Sequence, residues 1–433
     1  MSFESAYALH ASGDLAGAEA AYRHLMEEDP GHMGARHCLG VLLHQKGQSG
    51  PGIALILEAL EREPGHASRY NDFGNVLAAV GDLENAVSMF LLALQVRPRD
   101  ANVWNNLGAV LYRRKAFDEA VQAFRQALEC QPGFVPAMTH LASLLTEIGQ
   151  EEEASLYACR AFLQPPLEGK SPQMLGIACY RLGLIEEAAR HYRSWLEVEP
   201  DHPVARYLLA ACSQQDVPER APDDFLIRTF DGMADEFDRK LTEKLDYRGP
   251  EIVARLLAGI LEPKGEMSVL DAGCGTGLAA SVLKPFARRL AGVDLSPGML
   301  ARAREHEEYD ELEQSELTDY LDAHPGTFDL VVMVDTLIYF GGLEHVLALT
   351  AKALAPEGWL GFTVEVVSLQ RAPGGYCLDP GGRFRHTPEY LESLLKASGF
   401  VLERMDEVVL RSEFCKPTSG LAVLARMGST ARR

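Results

Sequence analysis

Four stretches in the second half of the chain put acids and glycines where a small ligand is held. The segment SVLDAGCGTGLAA at 268–280 runs an apolar strand pattern into Gly273, Gly275 and Gly277. Glycine lets backbone approach a ligand closely, and a helix that follows presents free N–H groups. Asp271 stands two residues before the first glycine, where a carboxylate suits an ammonium group and repels a pyrophosphate. Leu278 occupies the position of the third glycine of a dinucleotide fold. The next strand pattern ends at Asp294, followed by Leu295, and a carboxylate there accepts hydrogen bonds from both ribose hydroxyls. Glu316 and Leu317, closing YDELEQSEL at 309–317, suit an adenine amino group and ring nitrogen, while the acidic surroundings equally allow a solvated Glu316. Asp335, in FDLVVMVDTLIYF at 328–340, either borders the ligand as a candidate catalytic residue or caps the following helix. His386, in GGRFRHTPEY at 381–390, is a candidate base or a capping imidazole. Arg383 and Arg385 beside it either grip an acceptor carboxylate or phosphate or stay solvated.

These residues need strands that end together. From about residue 266 the pattern alternates strands (267–272, 289–294, 328–334, 358–366) with helices near 276–286, 297–307, 343–355 and 387–398. Such alternation predicts a parallel sheet with helices on both faces. Two last strands, about 401–410 and 419–426, are too closely spaced for a parallel crossover and predict an antiparallel hairpin at the sheet edge.

The order Asp271-Gly273-Gly275-Gly277, Asp294, Glu316, Asp335 and LAPEGWLGFTVE at 354–365 resembles the class I S-adenosylmethionine-dependent methyltransferases over about residues 225–427. The stretch FDGMADEFDRKLTEKLDYRGPEIV at 230–253 resembles the amino-terminal lid of a group of such enzymes that also carry helical repeats. The resemblance implies a Rossmann-like α/β domain with a seven-stranded, mainly parallel sheet and a lid at 225–262. It implies S-adenosylmethionine as cofactor, held by Asp271, Gly273, Gly275, Gly277, Asp294, Leu295, Glu316 and Leu317. Phe230, Phe237, Tyr247 and Arg248 lie in the lid, where aromatic rings either cover the cofactor or pack on the sheet.

The first half is periodic. Pro30, Pro64, Pro98, Pro132, Pro166 and Pro200 are spaced by 34 residues, and Gly13, Gly47, Gly81, Gly149 and Gly183 keep the same period, with Lys115 the departure. Small residues recur at 6, 40, 74, 108, 142 and 176. This reads as helix, glycine turn, helix, proline stop, and it resembles the tetratricopeptide repeat, most closely in NNLGAVLYRRKAFDEAVQAFRQALECQP at 105–132. GQSGPGIAL at 47–55 predicts a late start for the second helix of repeat two, and LQPPLEGKSP at 163–172 a loosened join. The expected organisation is an α-solenoid over 1–212 with its capping helix, a polar linker at 213–224, and the methyltransferase domain at 225–433. Arrays of this type present a concave surface, predicting a protein or peptide partner there, with a structural spacer as the alternative.

A net charge of −21, spread over both halves, argues against nucleic-acid and anionic-membrane partners. No stretch is apolar for the ~20 residues that span a bilayer, and the start lacks a basic region followed by an apolar run, so a cytoplasmic location is expected. Eight cysteines without Cys-x-x-Cys or Cys/His spacing predict free thiols and no metal. The expected function is methyl transfer from S-adenosylmethionine to a protein or small-molecule acceptor. The alternative is a repeat scaffold carrying a cofactor-binding or degenerate module.

Overall fold

The computed structural model of the 433-residue chain describes residues 2–234, 237–239, 247–413 and 416–428. Parts of the expected lid, 235–236 and 240–246, lie outside the described residues, as does Cys415. The chain divides into two compact units, Met1–Leu167 and Glu168–Arg433.

The first unit is five helical hairpins: Phe3–Ala11 with Leu15–Glu28 (α1, α2), Met33–Gln45 with Ser49–Arg62 (α3, α4), Ala67–Val80 with Leu83–Val96 (α5, α6), Ala101–Arg113 with Phe117–Cys130 (α7, α8), and Val135–Glu147 with Glu151–Phe162 (α9, α10). Capping aspartates start several of them; the Asp14 carboxylate accepts from Gly17 N–H and that of Asp100 from Asn102 and Val103 N–H. In the third and fourth hairpins the small residue of the first helix admits a large residue of the second. A Cβ on Gly74 would lie 2.7 Å from the buried Phe90 ring, and one on Gly108 would lie 2.7 Å from Phe124. Burying each ring contributes about 1.5–3 kcal/mol, and Gly74 or Gly108 is what lets it in.

In the second hairpin the backbones themselves touch, since a Cβ on Gly40 would stand 2.6 Å from the Gly52 carbonyl oxygen. Helix α4 starts at Ser49, in step with the others, and not late. Pro51 falls in its first turn, where a missing N–H leaves no bond unmade.

Polar side chains 35 residues apart join the first helices of successive hairpins. His10 meets Gln45 at 3.0 Å, His37 meets Asp72 at 3.1 Å, Asn106 donates to Asn71 at 3.0 Å, and Asn105 meets His140 at 3.0 Å. The turn residue of each hairpin is left-handed, including Lys115 at φ +61°. A side chain there is disfavoured by about 1–2 kcal/mol.

The second unit opens with Pro172–Arg181 and Ile185–Val198 (α11, α12), a sixth hairpin in which Gly176 faces the buried Tyr192 ring, and with Pro203–Ser213 (α13). Asp223–Asp231 (α14), Phe237–Arg239 (α15) and Gly249–Leu257 (α16) lead into the sheet. Its strands are Met267–Ala272 (β1), Ala287–Asp294 (β2), Glu311–Gln314 (β3), Phe328–Met333 (β4), Leu354–Val366 (β5), Tyr376–Leu378 (β6), Phe384–His386 (β7), Phe400–Glu413 (β8) and Lys416–Met427 (β9). The parallel order β3-β2-β1-β4-β5 is extended by β9, antiparallel to β5, and then β8, which is the expected edge hairpin. Two three-residue strands, β6 and β7, add to the expected seven at the carboxyl end of β5.

Period-two alternation builds both faces. Val269, Leu290, Leu330, Val332 and Leu424 pack with Ile252 and Leu256 of α16. Leu270, Ala291, Val331, Leu360 and Val423 pack with Leu347 and Leu395 on the other side. Those two leucines belong to Glu344–Ala353 (α20) and Pro388–Ala397 (α21). Between strands also lie Ala280–Leu283 (α17), Pro297–Glu305 (α18) and Leu317–Ala323 (α19). The helix expected at 276–286 is thus reduced to four residues and a 3₁₀ turn at Lys284–Phe286.

The stretch 213–224 is not a free linker. Ala221 N–H donates to the Tyr339 carbonyl and Gly341 N–H to the Glu219 carbonyl, both at 2.8 Å, pinning it beside the carboxyl end of β4. The sixth hairpin and α13 reach the β6–β7 turn: the Tyr180 hydroxyl donates to Asp379 at 2.9 Å, the Gln214 amide donates to the Leu378 carbonyl at 3.0 Å, and Tyr207 lies 4.3 Å from the Phe225 ring. The compact unit begins at Glu168, within the irregular 163–172 stretch.

Two outcomes are expected. Lys115→Gly raises stability by about 0.5–1 kcal/mol, read from urea unfolding, because glycine relieves the left-handed strain. A chain of residues 168–433 unfolds cooperatively, whereas one of 216–433 melts at least about 5 °C lower in calorimetry; equal melting temperatures would place the boundary back at 213–224.

Candidate active site

The carboxyl ends of β1, β2 and β4 surround a cavity of about 410 Å³. The turn after β1 is held from beneath: the N–H groups of Gly273 and Cys274 donate to the Val293 carbonyl at 2.8 and 3.0 Å. Gly273 has φ +78°, and any Cβ there would collide with Thr336, whose hydroxyl donates to the Ala272 carbonyl at 2.9 Å. This is the position in the turn where glycine is required on two grounds.

Asp294 ties the turn to the next helix. One carboxylate oxygen accepts from Gly275 N–H and the other from Ser296 N–H, each at 2.9 Å. Burial pushes this carboxyl upward, and the backbone donors Ser296, Gly275 and Leu295 oppose the shift. Asp271 is only 2% exposed. It accepts a hydrogen bond from the Tyr309 hydroxyl at 2.6 Å. Burial is the largest influence on it, opposed by Tyr309 and reinforced by neighbouring Asp294, and the result is a carboxyl pushed up to about 6. Among the described residues, no lysine or arginine pairs with either acid.

Of the residues expected to bind a cofactor, Asp271, Gly273, Gly275, Asp294, Leu295, Glu316 and Leu317 line the cavity. Gly277 does not line it; it faces the Tyr309 ring, which a Cβ there would approach to 3.1 Å. Glu316 caps α19, accepting from Thr318 and Asp319 N–H at 2.7 and 3.1 Å, and its second oxygen lies 3.9 Å from Arg220. Arg220 also lines the cavity, so the supposed linker contributes to its wall.

Asp335 lines the cavity in a left-handed conformation, φ +53°. Its N–H donates to the Thr363 hydroxyl at 2.9 Å, and Arg411 donates to its carboxylate at 2.9 Å. It caps no helix. Arg411, 2% exposed, also pairs with Glu365 of β5 and with Glu413 at 3.0 Å. Arg383 pairs with Glu413. Burial raises the Glu413 carboxyl, but Arg383 and Arg411 outweigh it and hold it at about 2. Arg385 is spent on Glu365 at 3.2 Å and Asp379 at 3.3 Å and does not line the cavity, which removes it as a grip on an acceptor anion.

Phe230, Phe237, Tyr247 and Tyr339 complete the wall, with Phe230 5.6 Å from Tyr339 and 6.0 Å from Phe237. The Thr276 hydroxyl of the glycine turn donates to Asp238 of α15 at 2.5 Å. His386, by contrast, is fully buried and off the cavity wall. Its Nε2 bonds the Gly341 carbonyl at 2.9 Å, and burial drives its pKa down to about 4, which makes it a neutral packing group and not a base beside the cavity.

Arg411, Tyr309 and Arg220 were missed by sequence reasoning. Arg411 lies in a strand of mixed polarity, FVLERMDEVVLRSE, whose pattern does not single it out.

A β3-β2-β1-β4-β5 sheet closed by an antiparallel hairpin, with a glycine turn after β1 and an acid ending β2, defines a class I methyltransferase domain. Residues 238–404 match the family model for a methyltransferase domain and residues 71–133 that for a tetratricopeptide repeat. The chain thus carries a methyltransferase domain together with tetratricopeptide repeats. A ubiquinone biosynthesis O-methyltransferase of Thiobacillus denitrificans is 33% identical over 31% of this chain and 55% of its own. Methyltransferase-like protein 27 of Homo sapiens is 37% identical over 25% of this chain and 45% of its own. The chain thus spans about half the length of these curated relatives. Among solved structures, a magnesium protoporphyrin IX methyltransferase from Synechocystis aligns over 48% of this chain and 99% of its own, at 20% identity and a TM-score of 0.37.

The buried His386 gives a pH signature. Below about pH 6.5 the unfolded chain takes up a proton there, while the folded form stays neutral down to about 4. Stability is therefore full above pH 6.5 and falls by about 2 kcal/mol by pH 5. His386→Gln is expected to lose about 2 kcal/mol less than the parent between pH 7 and pH 5 in urea unfolding, with cofactor affinity unchanged.

Proposed function

We propose that residues 225–433 transfer a methyl group from S-adenosylmethionine to an acceptor held in the same cavity, while the helical array holds a protein or peptide partner. One observation carries the reading: two carboxylates, the buried Asp271 and the half-buried Asp294, stand at one cavity wall without a cationic partner among the described residues. Burying charge without compensation costs several kcal/mol, and an incoming ammonium group supplies what is missing. In this reading Asp271 takes the ammonium, Asp294 uses its remaining lone pairs for the ribose hydroxyls, and Glu316 and Leu317 border the adenine. The cofactor supplies an electrophilic methyl group on a good leaving group, so the protein mainly has to orient and desolvate.

Asp335 also lines the cavity, and Arg411 fixes its carboxylate. It is placed to hold a hydroxyl or amine of the acceptor and to accept a proton from it. Phe230, Phe237 and Tyr339 keep water from that region. Among the described residues no group of side chains is arranged to hold a metal ion, and no helix is long and apolar enough to cross a membrane. The free thiols of the described residues support the cytoplasm as the working compartment.

Calorimetric titration with S-adenosylmethionine, with NADH as control, tests the reading. Saturable binding of S-adenosylmethionine alone is expected, and Asp294→Ala should weaken it by about 1.5–3 kcal/mol through lost hydrogen bonds to a charged acceptor. Unchanged affinity in that variant removes Asp294 from the cofactor site.

A further inference from the structure

We propose that Tyr309 is a positioning residue that keeps Asp271 ionised, ready for a cation. The proposal rests on the cofactor reading of the cavity. Tyr309 lies just before β3, outside the glycine turn and off the cavity wall, yet its hydroxyl donates to Asp271 at 2.6 Å. Two glycines make room for its ring: a Cβ on Gly277 would come within 3.1 Å of it, and one on Gly292 of β2 within 2.9 Å. Gly277 therefore serves the seating of this phenol beneath the turn.

The groups facing Asp271 explain why one donor matters. Asp294 comes from the end of β2, Cys274 from the turn and Tyr247 from the segment before α16, and none of these carries positive charge. Arg304 of α18 acts on Cys274. A carboxyl that is buried and next to another acid tends to take a proton, and a protonated Asp271 has no charge to offer an ammonium group. A hydrogen bond donated to the ionised form opposes that tendency. Tyr309, whose own phenol is held protonated by burial and by Asp271, is a permanent donor.

Tyr309→Phe keeps the ring in its seat and removes only the donor. In the full chain, S-adenosylmethionine affinity is measured by calorimetry for parent and variant from pH 5.5 to 8.5, and the ratio of the two affinities cancels the ligand's own titration. With the Asp271 carboxyl raised by about one further unit in the variant, the ratio grows about fivefold between pH 8.5 and pH 6. A ratio independent of pH overturns the proposal, however large the loss of affinity.

Unliganded unfolding gives a second readout. Asp271 is ionised at pH 8 and largely protonated at pH 5, so the variant's urea midpoint should fall further below the parent's at pH 8. Equal gaps at both values overturn the proposal. Should neither protein bind S-adenosylmethionine at any pH, the cofactor reading fails, and the unfolding data alone decide whether Tyr309 holds Asp271 ionised.

Discussion

Two acids, Asp271 and Asp294, are driven together by the register of neighbouring parallel strands, in which Ala272 sits opposite Val293. Much around them serves to satisfy the two carboxylates. The glycine turn bends so that Gly275 N–H reaches Asp294, and Thr336 fills the space that a side chain at 273 would need. Helix α18 starts where Ser296 N–H meets the same carboxylate, while Asp231 of α14 accepts from the Ser296 hydroxyl at 2.5 Å and Gly298 N–H at 3.0 Å. Each contact satisfies part of a charge, and none neutralises it. A site of this kind is preorganised to receive positive charge, since its own donors are already committed.

Asp335, on the same cavity, meets the electrostatic problem in a different way. There a single buried guanidinium, Arg411, gathers carboxylates from the end of β4, from β5 and from β8. The arrangement couples the antiparallel edge hairpin to the parallel body of the sheet and holds Asp335 in a backbone conformation that few non-glycine residues adopt. Removing one partner from such a cluster is costly because the others stay buried and unmatched. Asp271 and Asp294 have no cationic partner among the described residues, whereas Asp335 has Arg411.

What was legible in the sequence followed from local rules. Proline and glycine on a 34-residue period gave the hairpins, and strand patterns ending in Asp271 and Asp294 gave the cavity's charged wall, because turn chemistry and period two act within a few residues. Pro51 misled because its effect depends on its place in the helix: in the first turn it is harmless. Arg411, Tyr309 and Arg220 were illegible because each reaches its partner through long-range pairing: Arg411 and Arg220 at the cavity wall, Arg411 by way of β9 lying between β8 and β5, and Tyr309 at Asp271. His386 looked catalytic by residue type, but the pairing of β7 with β5 and β6 turns it into the interior. The polar composition of 213–224 suggested a solvated tether, whereas its backbone is hydrogen-bonded to 339–341 and its arginine is placed on the cavity wall.

That pinned segment bears on how such a chain can be inherited. Repeats of this kind multiply and disappear by duplication and deletion, and the first five hairpins can do so without altering a single residue of the pocket. The sixth cannot, because Tyr180, Tyr207 and Gln214 belong to the packing of the β6–β7 turn and of α14. Array length is then free to drift among descendants of this protein, while the last hairpin descends with the catalytic domain as part of one hereditary unit.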